Sequence, residues 1–177
     1  MFNRIAMWFN SSAMLRKIQR KKSKPTNGTF AIVASRYNSQ FVEAMLRAAK
    51  AELIRAGATV RVVRVPGAYE IPVVAMMLAR ASRTTHHAPL SAIICLGVIL
   101  RGQTVHAAHI GDAVSRALMD IQLETEVPVI HEVLLLENAE QARVRCLDPK
   151  HNRGMEAAQT ALEMARVMAG LISPSED

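Results

Sequence analysis

The segment Gly97-Val98-Ile99-Leu100-Arg101-Gly102-Gln103-Thr104-Val105-His106 holds residue types that can bind an anion and move a proton. Residues 91–96 (SAIICL) before it form a short apolar, partly β-branched run, the pattern of a buried parallel strand. After it, apolar residues recur at helical spacing. A strand that stops at a glycine, passes Gln103-Thr104 and opens a helix aims backbone N–H groups and positive helix dipole at one point. That is a generic anion cradle. His106 stands beside it, and imidazole is the side chain best suited to proton exchange at neutral pH. Taken alone, residues 102–104 are also an ordinary strand-to-helix turn, and His106 an ordinary helix-start or surface histidine. Their adjacency favours chemistry. His106 and His109 are spaced for one helix face, but no third ligand is placed by the sequence, so no metal is expected.

Four strands are expected to position these groups. Pro25-Thr26-Asn27-Gly28 is turn chemistry at the domain entry, and residues 29–35 (TFAIVAS) read as the first strand. Ser39 can cap a helix over about 40–56, with Phe41, Met45, Leu46, Ala49, Leu53 and Ile54 as its apolar stripe and Gly57 as its left-handed terminator. Residues 59–65 (TVRVVRV) form the second strand, broken by Pro66-Gly67, and Pro72 opens a helix to about residue 82. A loop at His86-His87-Ala88-Pro89 precedes the third strand, and a helix covers about 104–126. Residues 129–135 form a fourth strand, Glu137 or Asn138 starts a short helix, and the last helix covers about 153–171. This alternation predicts an α/β fold: a three-layer α/β/α sandwich around a four-stranded, mainly parallel sheet. Ligands of such sheets lie at the carboxyl ends of the strands. Those ends carry Arg36-Tyr37-Asn38, Pro66 to Glu70, Arg101 to His106, and His131 or the residues just beyond it.

With 177 residues, half of them apolar, the chain suffices for one domain with a sizeable core, expected over 25–177. No apolar run approaches a membrane span. Cys95 and Cys146 match no metal-ligand spacing and fit a reducing, cytoplasmic setting. The net charge of +7 belongs to residues 1–24, where Arg4, Arg16, Lys17, Arg20, Lys21, Lys22 and Lys24 occur with no acidic residue. The body is therefore neutral and carries no aromatic-interleaved basic face, which argues against nucleic acid as the partner. The arm reads as a disordered basic appendage. Its composition also fits an organellar transit peptide, and contact with nucleic acid or a membrane surface is a third reading.

The chain resembles the lumazine synthase family from about Thr29 to Ala169. Four signatures carry the resemblance in the family's order: Ser35-Arg36-Tyr37-Asn38, the run Val65 to Pro72 (VPGAYEIP), Gly97 to His106, and Glu140-Gln141-Ala142…Arg145…Asn152-Arg153-Gly154-Met155-Glu156-Ala157-Ala158. The resemblance implies a flavodoxin-like fold and condensation of 5-amino-6-ribitylamino-uracil with 3,4-dihydroxy-2-butanone 4-phosphate, without metal or organic cofactor. It implies that Tyr37 stacks on the pyrimidine, that Ala68 and Glu70 contact the ribityl chain, and that Ile99 and Leu100 pack near the ring. It implies that Gly102, Gln103, Thr104 and Arg145 hold phosphate and that His106 transfers protons. Arg153 and Glu156 fall at supporting positions, with Glu156 expected to pair with Arg145 and orient it. The family's pocket lies between adjacent subunits of a pentamer, so a homo-oligomer built from pentamers is expected. Each role has a plain structural counterpart: a capping core aromatic for Tyr37, a first-turn helix acid for Glu70, a solvated helix face for Arg145.

The chain departs from the family around the substrate. Ala107 and Ala108 stand where an aromatic and an acid usually follow the histidine, and His131 stands in place of a phenylalanine that covers the pyrimidine. Glu132 and Leu135 replace a usual Gly and Thr, and Arg153 a usual Lys. These changes motivate a second expectation, a weakly active or inactive paralogue that binds lumazine or flavin or serves as an oligomeric scaffold. A nucleic-acid binder acting through residues 1–24 is the third.

Overall fold

The strands are β1 (Thr29–Ser35), β2 (Thr59–Val65), β3 (Leu90–Leu100) and β4 (Val129–Leu136), as seen in a computed structural model that describes residues 26–84 and 89–172. The basic arm expected over 1–24, and residues 85–88 of the loop before β3, lie outside the described residues. All three strand pairings are parallel, in the order β2-β1-β3-β4. Successive side chains of a strand point to opposite faces, and β1 shows it directly. Phe30, Ile32 and Ala34 join the core under α1 (Ser39–Arg55) and α5 (Arg153–Ile172), while Ala31 and Val33 join the core under α2 (Ile71–Thr84) and α3 (His106–Thr125). Both faces are thus covered, and the three-layer expectation holds.

Gly154 sits where α5 crosses α1, and a Cβ there would run into the backbone of Met45. Ala157, Ala158 and Ala161 continue this small-residue contact, so the two helices approach closely. Gly57, with φ of +83°, ends the first helical segment in the left-handed conformation that glycine adopts without penalty.

Several boundaries differ from expectation. β3 does not end near Gly97 but runs on to Leu100. Gly97 serves packing, since a Cβ there would come within 3.0 Å of Val133 and 3.3 Å of Ile71. α3 opens at His106 rather than residue 104, leaving Gly102, Gln103 and Thr104 in an exposed loop. The first helix is entered through Asn38 in the left-handed region (φ 53°), with no side-chain cap from Ser39. A 3₁₀ turn, Ala68–Glu70, precedes the α2 helix at Ile71, ahead of Pro72. Asn138, not Glu137, caps α4 (Ala139–Ala142), its side chain accepting from the Gln141 N–H, and a π turn over Arg143–Leu147 follows.

Candidate active site

The strand order reverses direction between β1 and β3, because β2 lies outside β1 on one side and β4 outside β3 on the other. The chains leaving the carboxyl ends of β1 and β3 diverge there, and the gap between them is the natural ligand site of an open parallel sheet. A cleft of about 990 Å³ occupies it. Its walls are Tyr37 and Asn38 after β1, Gly67 to Glu70 after β2, Val98 to Leu100 of β3, Gly102 and Thr104 of the next loop, and residues of α3 from His106 to Ala113.

The loops are tied to one another by backbone polar groups. The Tyr37 N–H donates to the Pro66 carbonyl at 3.1 Å, joining the first two strand ends. The Asn38 Nδ2 donates to the Val98 carbonyl at 2.8 Å, which fastens the same loop to β3. The Glu70 carboxylate accepts from the Gly67 N–H at 2.9 Å and closes the 3₁₀ turn. A Cβ at Gly67 would sit 2.8 Å from Glu70 Oε2, so a larger residue there would displace the carboxylate. The Arg101 N–H donates to the Leu136 carbonyl at 2.8 Å and its guanidinium pairs with Glu137 at 3.1 Å, holding the loop before α3 to the end of β4.

The aromatic rings of Tyr37 and Tyr69 are 75% and 64% exposed, so they offer open faces at the cleft rather than filling the core. At Gly102 a Cβ would meet nothing within 4 Å, and its φ is not in the left-handed region. Neither packing nor backbone geometry within this chain calls for a glycine there.

Tyr37, Ala68, Glu70, Ile99, Leu100, Gly102, Thr104 and His106 therefore meet on one cleft, as the sequence suggested. Gln103 lies in the same loop but off its wall. Four other candidates lie elsewhere. His131 is the third residue of β4, paired in register with Cys95 in mid-strand, not at a strand end. It points to the α3 side, where its Nε2 lies 2.9 Å from Ser115 Oγ. Arg145 sits in the π turn, half-buried. Glu156 does not pair with Arg145: its carboxylate takes Arg153 at 2.5 Å, because the two residues share the first turn of α5. Arg153 reaches in the other direction to Glu132 of β4 at 3.2 Å. Glu132 is buried, and the loss of solvent pushes its carboxyl up to about 7 despite Arg153, with Glu156 adding to the rise. Cys146, in the same region, is pushed up to about 12, first by burial and then by Glu132. Cys95 is raised further by burial, so neither thiol is poised as a nucleophile.

The strand ends pointed to Asn38 and Tyr69 without giving either a role, whereas Ile110 and Ala113 carried no expectation as cleft residues and His109 only a metal-spacing one. The α3 members were legible from the helical steps of three, four and seven that follow His106. Among the described residues, no group of three or more His, Cys, Asp or Glu side chains could hold a metal ion. No helix among them is long and apolar enough to cross a membrane.

Comparison with known proteins places residues 27–169 within the family described as 6,7-dimethyl-8-ribityllumazine synthase. The chain is similar to proteins of that name from several bacteria. One from Xanthomonas campestris pv. campestris is 40% identical over 148 residues, 82% of this chain and 92% of the relative. One from Xylella fastidiosa is 40% identical over 151 residues, 84% of this chain and 94% of the relative. One from Xanthomonas oryzae pv. oryzae is 38% identical over 148 residues, again 82% and 92% of the two chains.

Proposed function

The chain belongs to the 6,7-dimethyl-8-ribityllumazine synthase family, and we propose that the cleft at its strand ends brings the two reactants of that enzyme together. The protein is a transferase of riboflavin biosynthesis. It condenses 5-amino-6-ribitylamino-uracil with 3,4-dihydroxy-2-butanone 4-phosphate to 6,7-dimethyl-8-ribityllumazine and releases phosphate. An imine forms between amine and ketone, phosphate leaves, and the ring closes with loss of water. Each step asks for two reactants in contact and for protons moved between them, so positioning supplies much of the acceleration.

In this reading the open ring of Tyr37 stacks on the pyrimidine, with Ile99 and Leu100 beneath it. The Ala68 backbone and the Glu70 carboxylate receive the ribityl hydroxyls. The loop Gly102-Gln103-Thr104 receives the phosphate. An unshielded glycine that this chain's own packing does not demand supports that assignment, because it lets an anion reach backbone N–H groups. His106, at the opening of α3 beside the loop, transfers protons.

The remaining wall comes from a neighbouring copy in a homo-oligomer built from pentamers. Two observations support this. His131 and Arg145 lie off their own chain's cleft and so are available to another. The α2–α3 layer also presents exposed Val73, Met77, Met119 and Leu123, apolar surface that a second copy would bury. Arg145 then grips phosphate across the interface, and Arg153, held by Glu156 and Glu132, braces the start of α5 next to it. Residues 25–177 act as one domain, and the two buried free cysteines suit the reducing cytoplasm.

The meeting of Tyr37, Glu70, the Gly102–Thr104 loop and His106 on one cleft carries this reading. Purified protein supplied with both substrates should form lumazine, followed by absorbance, well above the spontaneous rate. The His106→Ala variant should lose about a hundredfold in kcat. Lumazine or flavin binding without turnover would instead select a non-catalytic paralogue.

A further inference from the structure

His109 lines the same cleft as His106, one helical turn further along α3. Residues three apart on a helix lie side by side, with Cβ atoms about 5–6 Å apart. Between the two histidines stand Ala107, which is buried, and Ala108, neither of which has a polar side-chain atom. Neither residue between them can therefore orient His106 or share its proton. Among the described residues, hydrogen-bonded partners of histidine side chains occur at His131 and His151, not at His106 or His109.

The rest of the cleft offers little that can replace such a neighbour. The titratable groups on the facing walls are Tyr37 after β1 and Tyr69 and Glu70 after β2. β3 contributes Val98, Ile99 and Leu100, none of which titrates. The Glu70 carboxylate is engaged by the Gly67 N–H. The condensation nevertheless needs protons delivered and removed at several atoms. His106 stands nearest in sequence to the Gly102–Thr104 loop, while His109 lies deeper along α3 toward Ile110 and Ala113.

Resting on the reading of the cleft given above, we propose that His109 is a second proton-transfer residue, serving the water-losing steps while His106 serves the phosphate end. At dehydration the carbinolamine C–O bond breaks and the hydroxyl leaves as water with the proton that His109 donates. The cation left behind returns a proton to the imidazole, so the histidine ends as it began. The exposure of His109 in this chain leaves its ring free to turn into the cleft.

The experiment compares His109→Gln, His109→Ala and His106→Ala in the full-length protein, with kcat and KM for both substrates measured from pH 5 to 9. His109→Gln should lower kcat at least tenfold, keep both KM values within about twofold, and remove one limb of the pH–kcat profile. Added imidazole should restore part of the turnover of His109→Ala. If the His109 variants keep kcat and the full pH profile, or change KM alone, while His106→Ala is impaired, this proposal falls and the cleft assignment stands. If all three variants match the unmodified protein, the cleft assignment itself falls.

Discussion

Asn38 and Val98 lie sixty residues apart in sequence, and the side-chain amide of the first donates to the carbonyl of the second at 2.8 Å. That bond spans the switch point of the sheet and joins two residues that line the cleft. Asn38 also occupies the left-handed region, with φ of 53°. Asn38→Gly keeps the backbone relaxed and removes only the side chain, so it isolates the bond. The expected loss is about 1 kcal/mol of stability from the hydrogen bond, with KM for the pyrimidine raised several-fold. Chemical denaturation and steady-state kinetics measure the two effects, and an unchanged KM would mean the cleft keeps its shape without the tie.

Glu132 makes stability depend on pH. Its folded-state value of about 7 is raised from an ordinary 4.5, so the folded protein binds the proton more tightly than the unfolded chain. The stabilisation from that bound proton is complete below about 4.5 and is lost as pH rises through 7. The loss amounts to at most about 3 kcal/mol. Urea unfolding at several pH values should show this decline, and Glu132→Gln should flatten it between pH 4.5 and 7. An identical slope in the variant would assign the effect to other groups.

Gly154→Ala should destabilise the protein, although alanine favours a helix by about 1 kcal/mol over glycine. The new methyl group would meet the Met45 backbone, which cannot swing aside as a side chain can. A net loss of about 2 kcal/mol is expected from overpacking between α1 and α5. Thermal unfolding reads this as a lower Tm, and a Tm equal to or above that of the parent would show that the two helices can separate freely.

In the proposed assembly, Arg145 belongs to the wall supplied by the adjacent copy. Arg145→Ala should raise KM for the phosphorylated reactant about tenfold or more and leave that for the pyrimidine within about twofold. Subunits carrying Arg145→Ala and His106→Ala are each impaired alone. Co-assembled, they should recover up to about a quarter of the parent activity, because some interfaces then pair two unmodified surfaces. No recovery on mixing would confine the site to a single chain.

Much of this molecule was readable from residue order. β2 has the expected bounds, 59–65, because a β-branched run of Thr59, Val60, Val62, Val63 and Val65 sits between Gly57 and Pro66-Gly67. β3 was less legible. Gly97 looks like a terminator in sequence, yet it exists to let the turn at Ala68 and the side chain of Val133 pack on the strand. The cleft residues on strand-end loops followed from the α/β alternation, since that pattern puts all such loops on one edge of the sheet. The partner of Glu156 is the one that helical spacing along α5 favours, Arg153, not the Arg145 expected from the resemblance, and no local signal announces that Glu132 comes to share it.

Residue order alone therefore settles the layers, most of the strand ends and much of the chemistry gathered there, because periodicity and turn residues act within a dozen positions. Folding in three dimensions settles the rest. It sends His131 to the α3 face, brings Glu132 onto the Arg153 that Glu156 already holds, and sets the histidines of α3 across one cleft from Tyr37 and Glu70. Those outcomes depend on contacts between elements far apart in the chain, where burial and geometry select one partner among several of the same charge.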